Sequence, residues 1–254
     1  MKKFFALALL AITCLINQVS LAALPSTIHF AMEATYPPFE YMDPSGQIRG
    51  FDVDIAKALC TEMKVQCSFS HQPWDSLIPS LKLGKFDALI SAMAITDERK
   101  QQVDFSIPYF ATTGSFIGLA KSNLSPTPES LKGKIIGVQS GTVFETYLKT
   151  KYPGVKIKSY ASAQDAFLDL TSGRIDALLA DTPIVIDWLH KNSNSTDYAL
   201  IGEPINDPQV FGVGYGIAVR KNQPELLAAF NKAIMAIRAN GTYEKIAHAN
   251  FDKH

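Results

Sequence analysis

Two acids, an arginine and two aromatic residues stand where the chain turns: Glu33, Asp181, Arg99, Tyr36 and Trp74. Arg99 follows Ile95-Thr96-Asp97-Glu98 and opens a short helical pattern. Its planar fork of N–H donors suits a carboxylate, although an arginine in a solvated helix turn has the same local sequence. Asp181 ends the apolar run Ala177-Leu178-Leu179-Ala180, which places a carboxylate at a strand lip. Before Thr182-Pro183 it can equally cap a helix. Thr142 and Val143 open a helical pattern after Gly141, and amides at a helix start favour anions. Thr142 with Glu145 also reads as a capping box. Glu33 reads either as a partner for a cation or as a loop acid. Trp74, beside Gln72-Pro73, reads as a ring at a cleft lip or as a core anchor. Glu33 and Asp181 can also be imagined as a general acid and base. Against an enzyme, the sequence has no nucleophile elbow, no metal-ligand spacing and no glycine-rich phosphate loop. No cofactor and no metal are expected.

The ends and the composition narrow the setting. Met1-Lys2-Lys3 precedes the apolar stretch Phe4 to Ile16, and Ser20-Leu21-Ala22 offers small residues for cleavage near Ala22. This reads as a secretory signal over residues 1–22. The apolar run is shorter than the ~20 residues a spanning helix needs. The chain carries 24 basic and 24 acidic residues, and loss of Lys2 and Lys3 leaves a mature charge of about −2. Without basic runs, nucleic acid is excluded as the main partner. Of three cysteines, the signal holds Cys14, which leaves Cys60 and Cys67. An even count in an exported chain points to a disulfide tying a helix end to the following strand.

The elements that must position these residues form an α/β pattern. Strand-like Thr27–Met32 is followed by a helical Phe51–Met63, with Ile55, Ala56, Leu59 and Met63 on one face. Gln66–Ser70 reads as a strand, Trp74–Leu83 as a helix kinked at Pro79, and Phe86–Ser91 as a strand. The series then restarts: strands at Ser115–Ala120, Lys134–Val138, Val155–Tyr160 and Ile175–Ala180, and helices at Thr142–Lys151, Ser162–Ser172 and Pro183–Lys191. Gly212–Val219 alternates as a strand, and Pro224–Ala239 and Thr242–Ala249 repeat at helical spacing. Two such series predict two lobes rather than one sheet. Crossings fall near Ala111-Thr112-Thr113-Gly114 and Pro204–Pro208, dividing the chain into 23–112, 113–206 and 207–254, with the last segment returning to the first lobe.

Several stretches together carry a resemblance. They are Ala34-Thr35-Tyr36-Pro37-Pro38-Phe39-Glu40, Gly50-Phe51-Asp52-Val53-Asp54-Ile55-Ala56 and Asp75-Ser76-Leu77-Ile78-Pro79-Ser80-Leu81. Ile95-Thr96-Asp97-Glu98-Arg99, Gly173-Arg174-Ile175-Asp176-Ala177 and Ala239-Asn240-Gly241-Thr242-Tyr243 complete the set. In this order the chain resembles the periplasmic polar-amino-acid-binding proteins, nearest their arginine- and lysine/arginine/ornithine-binding members. The resemblance spans the mature chain. It implies the type II two-lobed periplasmic-binding-protein fold, each lobe a mixed sheet flanked by helices, with two hinge crossings. It also implies a monomer in the periplasm that delivers a free amino acid to an ABC-type importer in the inner membrane.

Residue by residue, the resemblance gives Arg99 and the Ala94 amide to the ligand carboxylate, with help from Thr142 and Val143. Asp181 and the Ala92 carbonyl take the ammonium. Tyr36 and Trp74 sandwich the side-chain stem, and Glu33 faces its far end. Ser91, Gln139 and Phe144 are lesser contacts. Ala94 stands where many relatives carry a hydroxyl or an acid, and Phe144 where some carry a polar residue. An acidic, aromatic pocket favours a cation, and flat rings favour the flat guanidinium of arginine. Lysine and ornithine compete closely, with histidine behind them.

Overall fold

The computed structural model describes residues 24–111, 113–192 and 195–252. The signal reading over 1–22, and Thr112 at the expected first crossing, lie outside the described residues. The chain builds two separate five-stranded sheets and one small three-stranded one.

The first sheet runs in the order Gln66–His71, Thr27–Met32, Ala88–Leu89, Ala218–Val219, Asp104–Phe105. Its first three strands are parallel, with Phe30 opposite Phe69 and Ala88. Ala218–Val219 runs antiparallel to both its neighbours. Buried Leu226, Phe230, Ala233, Ile234 and Ile237 repeat at helical spacing along helix Pro224–Ala239 and form its core face. Phe230 meets Phe30 of the sheet at 5.8 Å between ring centroids. Helix Phe51–Met63 starts at Gly50, whose φ of 119° and close approach to the Phe39 carbonyl leave no room for a side chain. Cys60 near its end is joined to Cys67 of the next strand, with Cα atoms 6.1 Å apart.

The second sheet runs Lys156–Tyr160, Ile135–Gln139, Ala177–Asp181, Gly114–Leu119, Tyr198–Ile205. Gly114–Leu119 is antiparallel to both neighbours, so this sheet too is mixed. Helices Val143–Lys151, Ala163–Thr171 and Thr182–Lys191 each follow a strand, as the alternation predicts. Thr142 and Ser162 cap the first two through their hydroxyls. The chain leaves the first sheet past Phe110, enters the second at Gly114, and leaves it after Ile205. Phe211 still packs on Phe144 and Tyr147 at 5.1 and 5.2 Å before Tyr215 bridges back to Ala94 and Phe110.

Several expected elements differ. Trp74–Leu83 is a short 3-10 turn over Trp74–Ser76 followed by helix Leu77–Lys82. Pro79 therefore sits in a first turn, where its missing N–H breaks no helical bond, and there is no interior kink. Of Phe86–Ser91 only Ala88–Leu89 pairs, because Ala92 turns the chain away at a φ of 42°. Of Gly212–Val219 only Ala218–Val219 joins the ladder; Gly212 and Gly214 adopt φ values of 75° and 120°. Strand Tyr198–Ile205, unforeseen because Gly202 and Pro204 break its pattern, carries a register shift between Ile201 and Ile205. Among the described residues, no helix is long and apolar enough to cross a membrane.

Candidate functional site

The strand ends of both sheets meet at one crevice. On the first side, Glu33 directly follows strand Thr27–Met32, and Ser91, Ala92 and Ala94 follow Ala88–Leu89. Trp74 opens its 3-10 turn, and Arg99 lies on helix Asp97–Gln102, capped by Thr96. On the second side, Gln139 ends strand Ile135–Gln139, Thr142, Val143 and Phe144 open the next helix, and Asp181 ends strand Ala177–Asp181. All of these, with Tyr36, line one tightly closed cavity of about 20 Å³. Every residue singled out for the site is thus brought to one place. Glu40 and Tyr215 line it too and were not singled out. Glu40 lies within a quoted motif, but an acid behind two prolines gives no hint of facing inward. Tyr215 sits among glycines, where the alternating pattern shows a strand and not its far neighbours.

Arg99 is buried and pairs with no carboxylate among the described residues. Its guanidinium donates to the Ala94 carbonyl at 2.9 Å and, across the crevice, to the Gly141 carbonyl at 3.1 Å. It lies 5.2 Å from the centre of the Trp74 ring. Burial, partly offset by the nearby Glu98 charge, lowers its pKa to about 10. The Met93 carbonyl and the Ile95 amide pair with Gly216 and Gly214, which turns Ala94's own amide away from that strand. Opposite, Thr142 accepts from the Glu145 amide at 3.4 Å, while Glu145 accepts from Gly141 at 2.9 Å. The box closes one residue early, so the Thr142 and Val143 amides are among those with no acceptor within the helix.

The acids lie on the other flank. Asp181 occupies the N-cap position of helix Thr182–Lys191, yet its side chain caps nothing. It accepts instead from the Tyr36 hydroxyl at 2.5 Å and from the Tyr215 hydroxyl, both contributed by the first side. Burial, partly offset by the Tyr36 bond, raises its pKa to about 8. Glu33 accepts from Gln139 Nε2 at 2.7 Å, and burial raises it to about 7. Each carboxylate is therefore costly to ionise until a cation joins it. Phe144 packs edge-on against Phe211. Among the described residues no cluster of His, Cys, Asp or Glu side chains is placed to hold a metal.

Comparison with known proteins shows the family of the chain. The chain is 46% identical over 226 residues to ABC transporter arginine-binding protein 1 of Escherichia coli K12, covering 89% of this chain and 91% of that one. It is 41% identical over 233 residues to the histidine-binding periplasmic protein of the same organism, covering 91% and 90%. A solved Salmonella typhimurium periplasmic binding protein, described for its high arginine specificity, superposes with a TM-score of 0.83 at 38% identity, covering 89% of this chain and all of that one. Residues 28–253 match a single family along almost their whole length, and the chain belongs to the bacterial extracellular solute-binding proteins, family 3.

Proposed function

We propose that this protein captures a cationic L-amino acid, arginine before lysine, ornithine or histidine, and hands it to an ABC-type importer. One observation carries the reading: a buried arginine without a counter-ion shares a cavity with two buried acids without a cation. A zwitterion with a positive tail supplies all three missing charges at once. In this reading Arg99, the Ala94 amide and the Thr142 and Val143 amides take the carboxylate. Asp181 and the Ala92 carbonyl take the ammonium, and Glu33, oriented by Gln139, takes the guanidinium. Tyr36 and Trp74 flank the stem, with Ser91 and Phe144 closing the walls. The family and its arginine-binding relatives support this reading, and they favour a binding protein over an enzyme.

The same reading divides the chain into lobes at the crossings near 112–113 and 206–207, with residues 1–22 removed on export and a monomer acting in the periplasm. Contacts from both lobes to one ligand favour the closed form, which is what an importer can recognise. A thermal-shift screen of the twenty amino acids on the mature chain tests it, since a ligand bound only to folded protein raises the melting temperature. Arginine is expected to give the largest shift. A best response from an acidic or aliphatic amino acid overturns the assignment.

A further inference from the structure

Beneath the crevice lie two more acids, Glu40 and Asp52, both fully buried. The Asp52 charge makes Glu40 costlier to ionise, so the two carboxylates lie within each other's field. No lysine, arginine or histidine pairs with either among the described residues; the titratable groups facing them are Glu33, Tyr36, Tyr109, Asp181 and Tyr243. Two ionised carboxylates have no donor between them, so only a proton held by one of them can link the pair. Two like charges so placed in a dry interior cannot both persist.

The surroundings decide where the proton rests. One Asp52 oxygen, Oδ2, accepts from the Ala92 amide at 2.7 Å and from the Tyr109 hydroxyl at 2.8 Å. Asp52 also stands in the first turn of helix Phe51–Met63, whose N-terminal field favours negative charge. Glu40 Oε1 accepts only from Ser91, at 2.7 Å. The remaining oxygens, Glu40 Oε2 and Asp52 Oδ1, are buried with no hydrogen-bond partner. The arrangement fits a protonated Glu40 donating to an ionised Asp52, and burial pushes both acids above the ordinary carboxylate range.

The pair grips two consecutive residues of the crevice wall. Glu40 holds the Ser91 hydroxyl, which in turn accepts from the Glu33 amide at 3.0 Å. Asp52 holds the Ala92 amide while Ala92 sits at a φ of 42°, a left-handed conformation costly for a residue with a Cβ. We propose that Glu40 and Asp52 hold one proton between them and act as a positioning pair, fixing the Ser91–Ala92 turn so that the Ala92 carbonyl faces a ligand ammonium. This rests on the reading that the crevice takes an α-amino acid.

The test has two arms on the mature chain. The first is infrared spectroscopy at neutral pH with saturating arginine, whose cations keep Glu33 and Asp181 ionised. A protonated-carboxyl band is expected in the native chain and is expected to vanish in Glu40→Gln. Absence of the band, or its survival in Glu40→Gln, overturns the shared proton. The second compares affinities for arginine and for its des-amino analogue. Glu40→Leu is expected to cut the preference for arginine about tenfold, the scale of one contact to a charged group, and Glu40→Gln, which can donate to Asp52 and accept from Ser91, restores most of it. Equal loss in both variants, or no loss in Glu40→Leu, overturns the positioning role. Should Glu40→Leu fail to fold, Glu40→Asp, too short to span Asp52 and Ser91, replaces it with the same expected loss. If the native chain binds no arginine at all, the reading of the crevice falls, while the band, sought then without ligand as a native-minus-Glu40→Gln difference, still judges the pair.

Discussion

Gln139 and Glu33 come from different sheets and meet at 2.7 Å, the amide donating to the carboxylate. This bond from the opposite wall partly offsets the burial that raises the Glu33 carboxyl. Selectivity for a cationic tail should then depend on this one carboxylate.

Glu33→Gln is expected to weaken arginine binding by about 2–3 kcal/mol, the cost of leaving a buried ligand charge unpaired. Binding of citrulline, which has the shape without the charge, should change much less. Calorimetry with both ligands measures this, and equal losses would show that Glu33 does not face the tail.

Arg99→Lys should bind arginine at least about tenfold more weakly than the native chain, because an ammonium cannot reproduce a bidentate fork. Arg99→Ala should cost about 2–5 kcal/mol. Native-like affinity in either variant would remove Arg99 from the carboxylate.

Stability should depend on pH in an unusual direction. Glu33 is raised to about 7 and Asp181 to about 8. For each, the folded chain binds more protons than the unfolded one, so its contribution is present below the ordinary carboxylate range and lost as pH rises through these values. The melting temperature of the ligand-free protein is expected to fall between about pH 5 and pH 8, and to fall less with saturating arginine, whose cations pair with Glu33 and Asp181. Asp43 and Asp169, held low by hydrogen bonds from neighbouring side chains, act only at acid pH and do not mask the trend. A melting temperature that rises across the window would contradict the buried acids.

Opening the Cys60–Cys67 bridge by a double substitution to serine should destabilise the chain by roughly 2–3 kcal/mol, as a short closed loop allows. Denaturant unfolding of native and substituted protein compares them. Arginine affinity should be little changed, because the bridge ties helix Phe51–Met63 to a strand at the sheet edge, away from the crevice.

Much of this was legible in the sequence where periodicity was strong. Helices Phe51–Met63 and Pro224–Ala239 match their patterns to the residue, since each buries one face. The crevice residues were readable through shared motifs and not through periodicity, since Arg99 and Asp181 have local sequences that serve a helix turn or a cap equally well. What stayed hidden depends on contacts distant in the chain. Tyr215 reaches Asp181 from a glycine-rich segment, and the Asp52 amide reaches the Phe39 carbonyl, next to Glu40, where Gly50 lets helix Phe51–Met63 start. Strand ends failed for a related reason: the left-handed turn at Ala92, which ends Ala88–Leu89 early, is held by a carboxylate forty positions away.

The place of Ala218–Val219 in the first sheet governs the order of assembly. It lies between Ala88–Leu89 and Asp104–Phe105, so that sheet has a gap until almost the whole polypeptide has been made. The second sheet uses only residues 114–205 and has no such wait. As the chain is made, the second sheet therefore has all its strands before the first sheet does. The first sheet closes only with Ala218–Val219, the last of its strands along the chain.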